Sequence, residues 1–452
     1  MSAAAPDTIA ALASAAGRAG IAVVRVSGPA VPEIGQALLG ALPEPRFAHL
    51  GAFKAADGSA LDRGLALYFA APASFTGEHV LELHGHGSPV LVDMLLTRLL
   101  ELGARVAEPG EFSRRAFLND KLSLDQAEAI ADAIDAGSGA AATAAMRSLE
   151  GVFARQVEAL RSELVELRVY TEAAIDFPDE DDIDFLGDGA IEQRLGAIRE
   201  RLATLTADAR EGAGLREGLR LVILGRPNVG KSSLLNRLAR RDTAIVTDIA
   251  GTTRDVLHEH LAIDGLPLTL VDTAGLRETD NPIEAEGVRR AKAELEQADR
   301  VLLVLDDANG VGAPEQALFD EIGTRRPLTV IANKIDLSGA PPGLTTLAGI
   351  EAVRLSAANG AGFDALAAHL KQAAGLSAEA TPAFVARRRH LDALARADDA
   401  LTAGYRRLVE DQAGDLLAEE LRVAQHALGE ITGVFTSDDL LGEIFSSFCI
   451  GK

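Results

Sequence analysis

The run Leu221-Val-Ile-Leu-Gly-Arg-Pro-Asn-Val-Gly-Lys-Ser232 constrains the fold of this chain more than any other feature. Four apolar residues lead into Gly225, and Gly225 to Ser232 fits G-x-x-x-x-G-K-S. Glycines at that spacing let the backbone turn so that its amides face phosphate oxygens, and a following helix adds its positive end. Such a loop works only between a buried strand and a helix, so it requires an α/β domain with a largely parallel sheet. Ser233-Leu-Leu-Asn-Arg-Leu238 supplies the helical run. In that setting Lys231 reaches the β- and γ-phosphates and the Ser232 hydroxyl ligates magnesium.

Strand-like runs recur on either side: Leu219–Leu224, Leu268–Val271, Val301–Leu305 and Thr329–Ala332. Besides the first, which feeds the phosphate loop, two of them carry motifs at their ends. After the second comes Asp272-Thr273-Ala274-Gly275, where a carboxylate can approach magnesium through water and the Gly275 amide can sense a γ-phosphate. After the fourth comes Asn333-Lys334-Ile-Asp336. A carboxylate at Asp336 accepts from both N1–H and N2–H of guanine, a pairing adenine cannot match. Ser356-Ala357 can place a backbone amide near guanine O6. Gly251-Thr252-Thr253-Arg-Asp255 lies where a switch loop belongs, with Thr253 the candidate to cap the magnesium. Motifs in this order specify GTP rather than ATP. One departure matters: Leu276 stands where many signalling GTPases carry a water-orienting Gln, so another group must position water. Asn228 is either an exposed polar loop residue or an amide oxygen for a monovalent cation.

At 452 residues the chain has length for about three domains of ordinary size. Its net charge of −23 argues against a surface wholly devoted to nucleic acid, though not against a local basic groove. The single cysteine, Cys449, excludes an intrachain disulfide and fits a reducing compartment. No run of 18 apolar residues suggests a membrane span, and Asp7 spoils a signal-peptide reading of Thr8 to Ala16. A cytoplasmic protein is expected. Residues 1–120 mix β-like runs (Ile21–Val26, Leu65–Phe69, Val80–Leu83) with a helical pattern, Val90 to Leu102, and read as an α+β domain. Residues 121–216 turn helical, with stripes at Ala127, Ile130, Ala131, Ile134 and at Leu149, Phe153, Val157, Leu160, Leu164, Leu167. The acidic stretch Asp176 to Asp184 lacks the EF-hand order and reads as a solvated loop. The α/β block spans 217–378, and helical texture returns over 379–452, suggesting one helical domain with the α/β domain inserted.

Several segments outside the nucleotide motifs carry a resemblance: Gly17-Arg-Ala-Gly20, Arg25-Val-Ser-Gly28, Phe75-Thr-Gly-Glu78, Gly85-His-Gly87 and Glu108-Pro-Gly-Glu-Phe-Ser113. Arg115-Ala-Phe-Leu-Asn-Asp-Lys121, Ile175-Asp-Phe-Pro178 and the terminal Phe448-Cys-Ile-Gly-Lys452 complete it. The chain resembles the MnmE/TrmE family of tRNA-modification GTPases nearly end to end. The resemblance implies a homodimer and a flavin-dependent MnmG-type partner in a heterotetramer. It also implies use of 5-formyl-tetrahydrofolate to install a carboxymethylaminomethyl-type group at C5 of the tRNA wobble uridine. The GTP site it implies takes in Asn228, Val229, Gly230, Lys231, Ser232 and Ser233, then Thr247, Asp248, Ile249, Ala250, Gly251, Thr252 and Thr253. Asp272 to Gly275, Asn333, Lys334, Asp336, Ser356, Ala357 and Ala358 complete it. Mg2+ falls to Ser232 and Thr253, and K+ to Asn228, Thr247, Ile249 and Thr252. Glu284 matches the water-orienting glutamate and acts with Lys231 and Thr253, with Glu286 as a competitor for the glutamate role.

Folate contacts implied by the same resemblance fall on Arg25, Glu82, Lys121 and Lys452: cations for a pterin carbonyl or glutamyl tail, a carboxylate for pterin N–H donors. Glu82, His84 and His86 also alternate onto one strand face as metal ligands do, although Gly85 and Gly87 are expected to disrupt regular pairing there. Cys449 mimics a prenylation box, but Gly451 and Lys452 are wrong for one. It is either a thiol near a one-carbon donor or an apolar anchor of the final helix. Two function classes follow: a folate-linked tRNA-modifying GTPase, or a GTP-controlled RNA or ribosome-assembly switch without one-carbon chemistry.

Overall fold

A computed structural model describes residues 7–176, 189–241, 258–272, 295–322, 326–376, 382–411, 413–435 and 438–451. The chain divides into two compact units, residues 1–131 with 429–452 and residues 132–428.

In the first unit six strands form one sheet in the order β3-β4-β5-β2-β1-β6. They are β1 (Ile9–Leu12), β2 (Ala19–Ser27), β3 (His49–Lys54), β4 (Ala60–Phe69), β5 (Val80–Gly87) and β6 (Arg105–Val106). The strands read in the sequence are β2, β4 and β5. The short β1 and the weakly apolar β3 and β6 carry no clear alternation, so pairing rather than pattern makes them strands. All neighbours are antiparallel except β1 and β6. Alternation sorts the central strands by face: Val24, Val26, Leu81 and Leu83 are buried under the helices Val31–Leu39 and Pro89–Glu101. Arg25, Glu82 and His84 take the opposite face, against which the helix Glu111–Leu118 sets Phe112. Gly85 and Gly87 do interrupt regular pairing: Gly85 pairs with Ala22 and Gly87 with Ala19, and the register shifts between the two. Leu124, Ala127 and Ala131 pack with Phe445 on the helix Asp438–Ser446 and with Phe448 just after it, whereas Ile134, the last residue of the expected stripe, is exposed.

The second unit holds a seven-stranded sheet in the order β12-β13-β11-β10-β7-β9-β8. Its strands are β7 (Leu219–Leu224), β8 (His258–Ile263), β9 (Leu266–Asp272), β10 (Arg300–Asp306), β11 (Leu328–Asn333), β12 (Gly343–Leu347) and β13 (Ile350–Arg354). The five inner strands run parallel and β8 and β12 close the edges antiparallel. Parallel strands covered on both faces need continuous apolar runs, which is why β7, β9, β10 and β11 were legible, whereas the short β13 and the two edges were not. Leu149 and Phe153 do not share a helix, contrary to the expected single stripe: Gly151 separates Gly139–Leu149 from Val152–Asp176 with φ +80°. The stripe from Phe153 to Leu167 is buried throughout.

Segments before and after the α/β block pack together. The Phe153 ring stacks on Phe384 at 4.5 Å and lies 5.1 Å from His390. Arg199, on Ala190–Glu217, donates to Thr402 Oγ1 on Arg388–Val409 at 3.1 Å. Arg387 and Arg216 converge on Asp132, which is buried. The acidic stretch from 177 onward lies outside the described residues.

Candidate functional site

The phosphate loop leaves β7 at Gly225 and enters the helix Lys231–Arg241. Its glycines are forced by contact as well as conformation. Gly225 has φ +146° and a Cβ there would fall 2.2 Å from Val304 O; Gly230 has φ +100° and a Cβ would fall 2.2 Å from Asn333 Nδ2. Asn228 also has positive φ, +64°, a conformation that Asn tolerates better than most residues. Lys231 Nζ donates to Gly225 O at 2.6 Å and Arg226 O at 2.9 Å, so its charge sits inside the loop it is to serve. Ser232 and Ser233 occupy the first turn of the helix and are exposed. Asp272 ends β9 in register with Ile223 on β7, which brings it beside the strand that feeds the loop. A hydroxyl and a carboxylate are oxygen donors of the kind magnesium takes.

The base motifs are tied to that loop by hydrogen bonds. Asn333, 2% exposed at the end of β11, donates from Nδ2 to Val229 O at 2.9 Å, and its Oδ1 accepts from the Ala357 amide at 2.9 Å. Ser356, fully buried, donates through its hydroxyl to Asp336 Oδ1 at 2.5 Å. Asp336 itself is exposed. Lys334, with φ +69°, is held by Asp306 at 2.8 Å. Of the amides expected to meet guanine O6, Ser356 N donates to Ala361 O and Ala357 N to Asn333 Oδ1; within residues 356–361 only the Ala358 amide has no acceptor among the described residues. A cleft of about 720 Å³ opens on this loop, lined in part by Ser233, Asn236, Ala358 and Asp364. Sequence reading missed Arg237, which donates to Ala357 O at 2.8 Å and Ala358 O at 2.5 Å. An arginine on a helix surface carries no signal that separates a loop clamp from a solvated charge. Thr247 to Thr253, Thr273 to Gly275, Glu284 and Glu286 lie outside the described residues, and of Asp272 only the backbone is described.

In the first unit Arg25 and Glu82 are cross-strand partners, and their side chains pair, Nη2 to Oε1 at 2.8 Å and Nε to Oε1 at 3.0 Å. The Arg25 guanidinium stands 5.3 Å from the Phe75 ring centre and 5.7 Å from that of Phe112. His84 Nε2 is 3.5 Å from Glu82 Oε2, is buried and has no hydrogen bond among the described residues. An orphaned buried nitrogen beside an ion pair suits a ligand rich in donors and acceptors, as a pterin is. The exposed Lys121 lays its stem along Gly77, in the turn that follows Phe75. Lys452 is outside the described residues, but the chain reaches Gly451 against Leu12, whose partner on β2 is Val24, next to Arg25. Glu82, His84 and His86 do not converge on a metal: His86 turns to Asp62 at 2.7 Å, and no group of three ligating side chains exists among the described residues. Cys449 is exposed, so the apolar-anchor reading fails; the tail is held by its backbone, with the Gly110 amide on Cys449 O and Pro109 bridged to Ile450.

Around this face runs a chain of charges. Arg115 bonds Glu111, Glu78 and Asp7, and Arg105 bonds Glu111 and Asp7. Burial pushes the Glu111 carboxyl up, yet Arg105, the Glu108 amide and Arg115 together hold it below its ordinary value. Arg105, first by its hydrogen bond, holds Asp7 low as well.

A phosphate loop tied through a buried Asn to a guanine-type carboxylate, on a parallel sheet, defines the class: a P-loop GTPase. Family models narrow it. The TrmE N-terminal model, "GTP-binding protein TrmE N-terminus", matches residues 8–121 and the "MnmE helical domain" matches residues 124–449. The chain is 56% identical over 451 residues to the tRNA modification GTPase MnmE of Yersinia pseudotuberculosis serotype IB, covering 99% of each. It is 54% identical to that of Proteus mirabilis, again over 99% of each. A solved structure of Era from Aquifex aeolicus bound to GDP and aluminium fluoride matches 40% of this chain and 66% of its own at 27% identity, with a TM-score of 0.27. The chain belongs to the MnmE family of tRNA modification GTPases.

Proposed function

We propose that this chain is the GTP-hydrolysing subunit of a complex that adds a carboxymethylaminomethyl-type group to C5 of the tRNA wobble uridine. The observation that carries the reading is the full-length match to tRNA modification GTPases in a chain whose Asn333 ties the phosphate loop to the turn from which Ser356 braces Asp336. Residues 217–378 bind and hydrolyse GTP, 121–216 and 379–452 form the helical domain around them, and 1–120 hold 5-formyl-tetrahydrofolate. The folate supplies a one-carbon unit; Arg25, Glu82, Lys121 and Lys452 bind and orient it. Ser232 and Thr253 hold Mg2+, and Asn228, Thr247, Ile249 and Thr252 hold K+, which adds positive charge beside the phosphates. Lys231 binds the phosphates, and Glu284 orients the attacking water that Leu276 cannot. The chain works in the cytoplasm as a homodimer with an MnmG-type flavoprotein and tRNA. Among the described residues no helix is long and apolar enough to cross a membrane.

Mass spectrometry of wobble nucleosides from cells lacking the chain tests the reading. Loss of the modified uridine is expected; unchanged nucleosides would sink it. Binding of 5-formyl-tetrahydrofolate by the full chain, followed by calorimetry, separates it from an RNA-assembly switch, which has no use for a folate.

A further inference from the structure

Six backbone amides line the turn that carries the base motif, residues 356 to 361. Five of them are spent within the fold. Ser356 N donates to Ala361 O and Gly360 N to Ser356 O. Ala357 N donates to Asn333 Oδ1, Asn359 N to Ser356 Oγ and Ala361 N to Asn359 Oδ1. The sixth, Ala358 N–H, has no acceptor among the described residues. That amide belongs to the same peptide plane as the Ala357 carbonyl, and in a trans peptide the two point in opposite directions. Whatever grips the carbonyl therefore aims the amide.

Arg237 grips it. Nε donates to Ala357 O at 2.8 Å and Nη2 to Ala358 O at 2.5 Å, fixing the planes on both sides of Ala358. The guanidinium is steadied in turn by the buried Phe363, whose ring centre lies 6.0 Å away. Arg237 stands on the helix that begins at Lys231, two turns beyond the phosphate loop. A second route joins the same parts, since Asn333 bridges Val229 O to Ala357 N. The two routes close a circuit of phosphate loop, Asn333, base loop and Arg237.

We infer that Arg237 is a positioning residue for base selection: it orients the Ala357–Ala358 peptide so that the Ala358 amide donates to the purine 6-carbonyl. This rests on the reading of Asp336 and the 356–358 turn as a guanine site. Two parts of the base are then read by separate devices. Asp336, braced by Ser356, takes N1–H and the exocyclic amine; Arg237, through Ala358, reads the atom at position 6.

The test uses the full chain and three diphosphates competed against a fluorescent GDP: GDP, 6-thio-GDP and IDP, with ADP as a control. Sulfur is a poorer acceptor than oxygen, so the ratio of GDP to 6-thio-GDP affinity reports the amide, whereas the ratio of GDP to IDP reports Asp336. Arg237→Ala is expected to weaken GDP about fivefold to tenfold, a hydrogen bond's worth, and to bring the GDP to 6-thio-GDP ratio near one. The GDP to IDP ratio should hold within about twofold, since the Ser356–Asp336 bond is untouched. Arg237→Lys, with one ammonium for two carbonyls, should fall between. A GDP to 6-thio-GDP ratio unchanged in Arg237→Ala, or both ratios falling together as in a general loosening, would overturn the inference. Wild-type protein that binds ADP as tightly as GDP would instead overturn the guanine reading beneath it.

Discussion

The two candidate sites are built on opposite plans. In the GTPase domain the charged and polar groups sit at strand ends and are held mainly by backbone: Lys231 by Gly225 O and Arg226 O, Asn333 by Val229 O and Ala357 N. In the N-terminal sheet the key groups sit mid-strand and hold each other, Arg25 against Glu82, with Arg115 and Arg105 sharing Glu111 nearby. The first site is braced largely by backbone groups, so little of a ligand's binding free energy goes into rearranging it. The second is a satisfied ion pair that a ligand must re-partner, so part of the binding free energy goes into opening it. Lys231 and Asn333, bonded to backbone, keep their aim when a neighbouring side chain is removed, whereas Arg25 and Glu82, paired with each other, do not.

The strongest challenge to this contrast is Lys231→Ala. A cation held against the phosphate loop should be worth about 100-fold to 1000-fold in hydrolysis rate, with the loop itself intact. A rate loss below tenfold in steady-state assays would show that the loop does not depend on that charge. Next is Asp336→Asn, expected to weaken GTP by about 2 kcal/mol while leaving the thermal midpoint unchanged, because the side chain is exposed and an amide oxygen can still accept from Ser356. A lowered midpoint would mean that this site, too, depends on side-chain pairing.

Acid sharpens the other half. Glu111 and Asp7 have lowered carboxyl values in the folded state, so their stabilisation is fully present above the ordinary carboxylate range and is lost as pH falls through those lowered values. Glu111→Gln should cost about 2 kcal/mol at neutral pH and much less at pH ~3, read by urea unfolding. An equal cost at both pH values would remove charge from the account. The smallest effect is expected from Arg25→Ala, which should weaken folate by about tenfold, or roughly 1.4 kcal/mol, because the freed Glu82 recovers part of the lost polarity. Charge exchange, Arg25→Glu with Glu82→Arg, should restore stability without restoring affinity. Restored affinity in titration calorimetry would show that the site needs the pair and not its orientation.

The nucleotide domain and the position of its motif loops were legible in the amino-acid sequence. Gly225 to Ser232, Asp272, Asn333 and Asp336 are contiguous motifs at the ends of buried parallel strands, and both the apolar runs and the loop spacings are local properties of the chain. The sequence also separated the helical texture on either side. Tertiary structure alone decided where that texture meets itself, as Phe153 on Phe384 shows, and which strands completed the first sheet, since β1, β3 and β6 exist through their partners. It decided that Ala357 spends its amide on Asn333 and that Arg237 holds the next peptide, two facts set by groups 24 and 120 residues apart. Motif spacing is written along the backbone; the direction of a peptide plane is set by whatever reaches it through space.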